Sequence, residues 1–419
     1  MDGEARQLPP EPGEAEEAIL RSAGMWPPDM QGYVTDPLSQ EKRHWTRALA
    51  LACREGIALT DRVRVHLGDV LAMLRELRDA SVHCVVTSPP YLDARDYGVP
   101  PTAWPAVTYR PRFDLEPVTV PATVCCLGHE KTLVAYVGHL VLVARELARV
   151  LRRDGTFWLN LAPTYSAGTT APRKPTTTQG DSVPSSWASR CMAPRVTAGL
   201  AAKQRIPVPS AVCDALQAEG WIVRNAIAWV KPNATPSSAR DRCTPAHEAV
   251  FLLARSRRYR VHLDRLATPA QHPRSRNTGR TYGKARGDAG SRRGASVPWE
   301  GDTAHPRDVW NIPTARFRGA HFATFPVELA RRCVLAGSDV GDLVLDPFGG
   351  SGTTAEAAVE LGREALLCEL NADYVAMQRE RLEASSVRRA QGQRTTTRVR
   401  HAPDGSDPEQ LLLDLGAAT

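Results

Sequence analysis

The chain has 419 residues, 42% hydrophobic and 24% charged, which is ordinary for a globular protein and leaves room for two or three domains or one large α/β domain with insertions. Its longest apolar run, Leu133 to Ala144, is interrupted by Gly138 and His139, so no membrane span is expected; the acidic start (Asp2, Glu4, Glu11, Glu14, Glu16, Glu17) is the reverse of a signal peptide. Nine scattered cysteines with no CxxC pair argue against a disulfide framework or a four-cysteine zinc site and for a cytoplasmic setting, while the net charge of +7 sits in one place: Arg255 to Glu300 holds twelve basic and three acidic residues, leaving the rest slightly acidic.

In chain order, residues 1–42 are rich in Pro, Gly and Glu and read as a disordered arm. A short helix is predicted over 41–55, then an alternating pattern begins: strand 63–67, helix 71–77 and a buried strand 82–87. An amphipathic helix over 133–151 ends at Asp154-Gly155 and feeds a strand over 156–160. Residues 166–200, rich in Thr, Pro, Ser and Gly, read as an exposed insertion. A helix over 209–218 and strands over 221–230 and 248–253 follow. The basic segment has little apolar periodicity. After it come a helix over 325–335, a strand over 342–346, a glycine loop, a helix over 353–361, a strand over 365–368 and a helix over 373–384. The last 35 residues read as a disordered tail. Strands separated by helices predict an α/β fold with a doubly wound, mainly parallel sheet whose ligands sit at the carboxyl ends of its strands. The expected organisation is a catalytic half over 43–255, a basic recognition segment over 256–307 and a cofactor half over 308–384, with 385–419 as the tail.

Two loops at strand ends carry chemistry. The first is Ser88-Pro89-Pro90-Tyr91, directly after a buried strand. Consecutive prolines stiffen the backbone and remove two N–H donors, leaving carbonyls as rigid acceptors beside a hydroxyl and an aromatic face. That set suits a planar molecule with an exocyclic amine, its N–H groups accepted by Ser88 and the Pro89 carbonyl while its ring stacks on Tyr91. The competing reading is a proline-rich turn ending a strand. The second loop runs from Asp346-Pro347-Phe348 through Gly349-Gly350-Ser351-Gly352 to Thr353-Thr354. It lacks the lysine of a phosphate-binding P-loop and the GxGxxG of a dinucleotide site. An acid, Glu369, closes the next strand, where it would accept from ribose hydroxyls. The pattern fits an adenosine cofactor without a diphosphate, with S-adenosylmethionine the candidate.

With these loops in this order, the chain resembles the amino-group DNA methyltransferases, which act on cytosine N4 or adenine N6, in the permuted arrangement that places the catalytic loop first. Gly68-Asp69, Arg149-Val150-Leu151, Trp229 to Lys231, His247-Glu248, Asp308 to Pro313 and His321 to Pro326 resemble further family segments in the same order. The resemblance implies catalysis at Ser88, Pro89, Pro90 and Tyr91 on a base extruded from the duplex. It implies a cofactor site of Asp346, Phe348, Gly350, Ser351, Gly352, Thr353 and Glu369, with Asp69 at the adenine amine and Phe322 and Phe325 walling the methionine end. Asp69 as a helix cap, and Phe322 and Phe325 as core residues, are the competing readings. The cytosine-C5 reaction needs a cysteine nucleophile after proline, and none of the nine follows one. Serine ahead of Pro-Pro favours N4-cytosine; N6-adenine is the alternative, and a non-catalytic DNA-binding relative is the second. One departure is Ala162-Pro163, where relatives often carry Gly-Asp.

Double-stranded DNA is the expected partner, through Arg274, Arg276, Arg280, Lys284, Arg286, Arg292 and Arg293, a cluster that suits phosphate contacts with arginine reading guanine; a solvated loop is the plainer alternative. A cognate restriction endonuclease would accompany such an enzyme. Cys125-Cys126 with His129 makes a poor metal site, and no metal is expected. Gln410 to Leu415 loosely resembles peptides that dock on the replication sliding clamp, or is a simple apolar stub.

Overall fold

The computed structural model describes residues 56–93, 99–166, 200–237, 239–269, 303–314 and 325–390. The arm, the predicted helix over 41–55, most of the 166–200 insertion, the clamp-like peptide, Phe322 and the seven basic residues from Arg274 to Arg293 lie outside them.

Nine strands form one sheet: β1 (Ile57–Thr60), β2 (Val63–Leu67), β3 (Val82–Thr87), β4 (Leu151–Leu161), β5 (Ile222–Val230), β6 (His247–Ala254), β7 (Val309–Asn311), β8 (Leu343–Asp346) and β9 (Glu364–Glu369). Their spatial order is β1-β2-β9-β8-β3-β4-β6-β5-β7. β2, β9, β8, β3 and β4 are mutually parallel, β6 runs antiparallel between β4 and β5, and β7 pairs parallel with β5. The sheet is therefore mainly parallel, reversed at β6 and at β1, which pairs antiparallel with β2.

Among the described residues six helices cover it: α1 (Val70–Glu76), α2 (Leu133–Val150), α3 (Val208–Ala218), α4 (Val327–Gly337), α5 (Thr353–Glu360) and α6 (Ala372–Ala390). The two-residue period of the central strands sorts their side chains into two cores. Val85 of β3, Leu343 and Leu345 of β8 and Leu366 of β9 pack with Met73 and Leu74 of α1, the apolar stripe of α2 and Val212 and Leu216 of α3, and Val82 joins them across a bulge before Cys84. Cys84 and Val86, Val344, and Ala365 and Leu367 face the other way, toward Leu329 and Val334 of α4, Ala355 and Ala358 of α5 and Leu382 of α6. Both faces being covered, these strands read as continuous apolar runs.

β2 and β3 fall on the predicted bounds. Several features do not follow the expectation, among them β1 and β7, where no strand is predicted. β4 begins at Leu151, five residues early, because Leu151 pairs with Val82 at the start of the ladder. α6 runs on to Ala390, six residues into the expected tail, with Arg388 reaching Glu356 of α5 at 2.7 Å. Between Thr102 and Cys125, where the sequence pattern suggests no element, two short hairpins form, Thr102–Trp104 with Thr123–Cys125 and Val107–Tyr109 with Val118–Val120. They bury Trp104, Val107, Tyr109 and Val120 against α2. Among the described residues no helix is long and apolar enough to cross a membrane.

Candidate active site

The carboxyl ends of β2, β3, β4, β8 and β9 open onto one cavity of about 450 Å³. Ser88, Pro89, Pro90 and Tyr91 line one side, and Phe348, Gly350, Ser351, Thr353 and Glu369 another, with Asp69 and Phe325 completing it. The two loops meet because β3 and β8 are neighbours in the sheet although 258 positions separate Ser88 from Asp346 in the chain.

Asp346 and Gly352 are the exceptions among the predicted site residues that the structure describes, since neither is part of the lining. Asp346 is buried beneath the loops. Its Oδ1 accepts from Thr87 Oγ1 at 2.6 Å and from the Phe348 amide at 3.0 Å, and its Oδ2 accepts from Thr354 Oγ1 at 2.6 Å. The residue preceding Ser88 and the second residue of α5 thus share one carboxylate. Burial pushes that carboxyl up to about 6, with the two threonine hydroxyls pulling the other way. Asp346 joins the loops from beneath and does not face the ligand space.

In the second loop the glycines have distinct tasks. Gly352 lies behind the cavity as the N-cap of α5 at φ +80°, and an added Cβ would stand 2.9 Å from Gln378 Cγ. Gly350, at φ +49°, faces the cavity, and a Cβ there would meet only the Phe348 carbonyl oxygen at 3.9 Å, so its backbone is free to approach a ligand. Its N–H donates to Glu369 Oε2 at 2.7 Å and its carbonyl accepts from Gln378 Nε2 at 2.8 Å. Glu369 Oε1 accepts from the Asn371 amide at 2.9 Å. Burial still dominates and lifts the Glu369 carboxyl to about 7. Ser351 is held from behind, its hydroxyl accepting from Arg381 Nη2 at 3.1 Å. Asp69 does cap α1, Oδ1 accepting from the Ala72 amide at 3.0 Å, and it lines the cavity as well.

At the first loop the Tyr136 hydroxyl donates to the Pro90 carbonyl at 2.8 Å. That carbonyl faces α2, which leaves Pro89's as the prolyl acceptor available to a ligand. Ser88 Oγ donates to the Tyr91 hydroxyl at 3.1 Å and lies 3.3 Å from Asn160 Oδ1. The Tyr91 hydroxyl is 2.8 Å from Asn160 Oδ1 and 2.7 Å from Glu248 Oε2, and Glu248 Oε1 is ion-paired with Lys231. Burial first, and the Glu248 charge second, push the Tyr91 phenol far up, so it stays protonated. Asn160 and Glu248 are not among the site residues that the sequence predicts. A polar signal exists for one: Asn160 interrupts the apolar run of β4. Glu248 comes from β6, whose register sets Val250 opposite Asn160 and Ala249 opposite Leu161. Ala162 lines the cavity, so no carboxylate is supplied by the strand end itself.

Away from the loops, the structure groups Cys125 with Glu130 and His139 and not with Cys126 and His129, their ligand atoms within 4.8 Å of one another. His139 Nδ1 and Glu130 Oε1 are hydrogen-bonded at 2.8 Å, and Glu130 Oε2 accepts from the Gly128 amide.

Such a cleft defines a two-substrate α/β protein: a glycine loop facing an acid on one side, a rigid acceptor loop on the other, one carboxylate between them. The sequence matches the N6_N4_Mtase DNA methylase family over residues 82–380. It is 34% identical over 355 residues to the type II methyltransferase M.Cfr9I of Citrobacter freundii, spanning 84% of this chain and 95% of that protein. Among solved structures it is similar to the PvuII DNA methyltransferase (cytosine-N4-specific), at 18% identity and TM-score 0.48, covering 80% of this chain and 94% of that one. It is also similar to a DNA modification methylase from Thermus thermophilus complexed with S-adenosyl-L-methionine, at 24% identity and TM-score 0.43, covering 77% and 93%. The chain belongs to the N6/N4 DNA methylase family.

Proposed function

We propose that the protein transfers a methyl group from S-adenosylmethionine to the N4 amine of cytosine in double-stranded DNA. The observation that carries this reading is the place of Ser88 on the cavity wall with Tyr91 and Asn160 Oδ1 within hydrogen-bond reach of its hydroxyl. With its one proton given to either of them, its lone pairs are open to accept an amine N–H.

The donor set fits the cofactor. Glu369 is a buried carboxylate held by backbone amides, and its elevated proton affinity marks it as short of partners; ribose hydroxyls supply them. Gly350 allows close backbone approach, Phe348 and Phe325 offer apolar walls, and Asp69 stands at the far end for an adenine amine. S-adenosylmethionine brings a sulfonium-activated methyl group.

The chain's own residues prepare the acceptor. An exocyclic amine is a weak nucleophile while its lone pair is delocalised into the ring. Ser88 Oγ and the Pro89 carbonyl hold its hydrogens out of plane, which localises that pair and aims it. A paired amine cannot reach the cavity, so the base leaves the helix and stacks on Tyr91. The basic segment around Arg274 to Arg293 binds the duplex backbone, with a restriction endonuclease of the same specificity as the companion activity. Serine in place of aspartate ahead of Pro-Pro favours cytosine within the family.

The test is nucleoside mass spectrometry of unmethylated DNA incubated with the protein and methyl-labelled S-adenosylmethionine. Labelled N4-methylcytosine is expected. N6-methyladenine would keep the mechanism and show that Ser88 does not select the base.

A further inference from the structure

Methyl transfer to an amine leaves a proton to dispose of, and serine is a poor base. Among the described residues three carboxylates line the cavity: Asp69, Glu248 and Glu369. Asp69 caps α1 and Glu369 belongs to the glycine loop. Glu248 alone contacts the Ser88–Tyr91 loop. The two hydroxyl protons of that loop can be ordered one way, Ser88 Oγ to Tyr91 and Tyr91 to Glu248 Oε2, over 3.1 and 2.7 Å, with Asn160 Oδ1 as the other acceptor within reach of both. The far side of Glu248 is closed by Lys231, and both side chains are mostly buried, 13% and 18% exposed.

We infer that Glu248 is the terminal acceptor of the proton released by the target amine, reached through Ser88 and Tyr91. The inference rests on the proposed role of the Ser88 loop. As nitrogen bonds the methyl carbon, the sulfur–carbon bond of the donor breaks and its electron pair returns to sulfur, so the nitrogen holds one proton too many. Ser88 Oγ takes that proton while its own passes to the Tyr91 oxygen and the Tyr91 proton passes to Glu248 Oε2. Each hydroxyl ends as it began, and the carboxylate ends as a carboxylic acid. Because burial disfavours the Tyr91 phenolate, the tyrosine gives and takes a proton together and does not ionise in between. Asn160 Oδ1, fixed by Asn160 Nδ2 donating to the Ala249 carbonyl, is the alternative acceptor for the same two protons, so the relay runs when both hydroxyls turn from it toward Glu248.

The experiment compares E248Q and E248D in single-turnover methylation, with cofactor and DNA dissociation constants measured alongside. Gln keeps an oxygen acceptor for the Tyr91 hydroxyl but cannot take a proton. Asp is one methylene shorter but remains a carboxylate. Proton acceptance requires E248Q to fall by about a hundredfold or more, E248D to be faster than E248Q, and both ligands to bind within about twofold of the parent. A purely positional role gives the reverse order, and an E248Q rate near that of the parent overturns the inference. Because E248Q leaves Lys231 without its partner, E248Q/K231M controls for an unpaired buried charge. Y91F keeps the ring and cuts the chain at its middle atom, so it should slow turnover comparably, with the E248Q/Y91F double variant no slower than either single one; additive losses refute a shared route. S88A separates the two ideas: full activity there overturns the site reading itself, whereas an inactive S88A with an active E248Q overturns only the relay.

Discussion

Glu369 gives the most quantitative test of the cofactor site. Its carboxyl is raised to about 7 by burial, from an ordinary 4.5, while a ribose whose two hydroxyls donate to it needs the ionised form. In the free protein near pH 8 about nine-tenths of the molecules carry the carboxylate; near pH 6 about one-tenth do. Affinity should therefore weaken about tenfold between these values, a loss of about 1.4 kcal/mol that reports the cost of removing the proton before binding. The sign is fixed by the direction of the shift: binding is favoured above the free-state value and lost as pH falls through it. S-adenosylmethionine has an amino group that titrates nearby, so the cleaner probe is 5′-methylthioadenosine, which keeps the ribose and adenine and has no group ionising between pH 6 and 8. Isothermal titration over that range should show the tenfold slope for the parent chain and a flat, weaker response for Glu369→Gln. A parent affinity that does not change from pH 8 to pH 6 would refute the assignment of Glu369 to the ribose.

Three further outcomes follow from the geometry. Asp346 binds its proton up to about pH 6 in the folded chain, against 3.8 as the ordinary value, so between these limits the folded state holds more protons than the unfolded one. Stability should then fall by about 1–3 kcal/mol as pH rises through that window, and thermal melts of Asp346→Asn should lose this slope. Both glycines have left-handed backbones, but Gly352→Ala also sets a Cβ 2.9 Å from Gln378 Cγ, whereas a Cβ at Gly350 meets only the Phe348 carbonyl oxygen at an ordinary 3.9 Å. It should cost about 1–2 kcal/mol in urea unfolding, more than Gly350→Ala, while Gly350→Ala should weaken cofactor binding more. Deleting residues 270–300 should remove most DNA binding, together with its steep salt dependence, in fluorescence-anisotropy titrations, and leave 5′-methylthioadenosine affinity unchanged.

The parts of the site that are legible in the sequence are those written in consecutive residues. Ser88-Pro89-Pro90-Tyr91 and the loop from Asp346 to Thr354 declare themselves because each follows a β-branched or leucine-rich strand and carries its chemistry within ten positions. Glu369 is legible as an acid closing an apolar strand. Asn160 and Glu248 are not, because their meeting depends on the antiparallel register of β4 with β6, a pairing between residues nearly ninety positions apart. The role of Asp346 is misread for a similar reason: a carboxylate at a loop's start reads as a ligand until its partners, Thr87 and Thr354, are seen to occupy it. The hairpins over 102–125 escape because strands of three residues are too short to show a period. The end of α6 is hidden by its polarity: Arg388 looks like part of a solvated tail, yet it joins Arg381, within the predicted helix, at the buried Glu356.

The strand order has a consequence for how the protein is made. β2 and β3 are consecutive in the chain, with α1 between them, but in the sheet they are separated by β9 and β8, which arrive almost 260 residues later. During synthesis, every chain length short of residue 343 therefore presents two parallel strand edges with a two-strand gap between them and one side of each core uncovered. Unpaired edges of this kind invite pairing with other chains, and contacts of such long sequence separation form slowly. A truncated product cannot hold a partial cleft, since the strands that complete the sheet are also the ones that deliver the glycine loop and Glu369. Completion of the core and creation of the ligand cavity are one event, set by the arrival of β8 and β9.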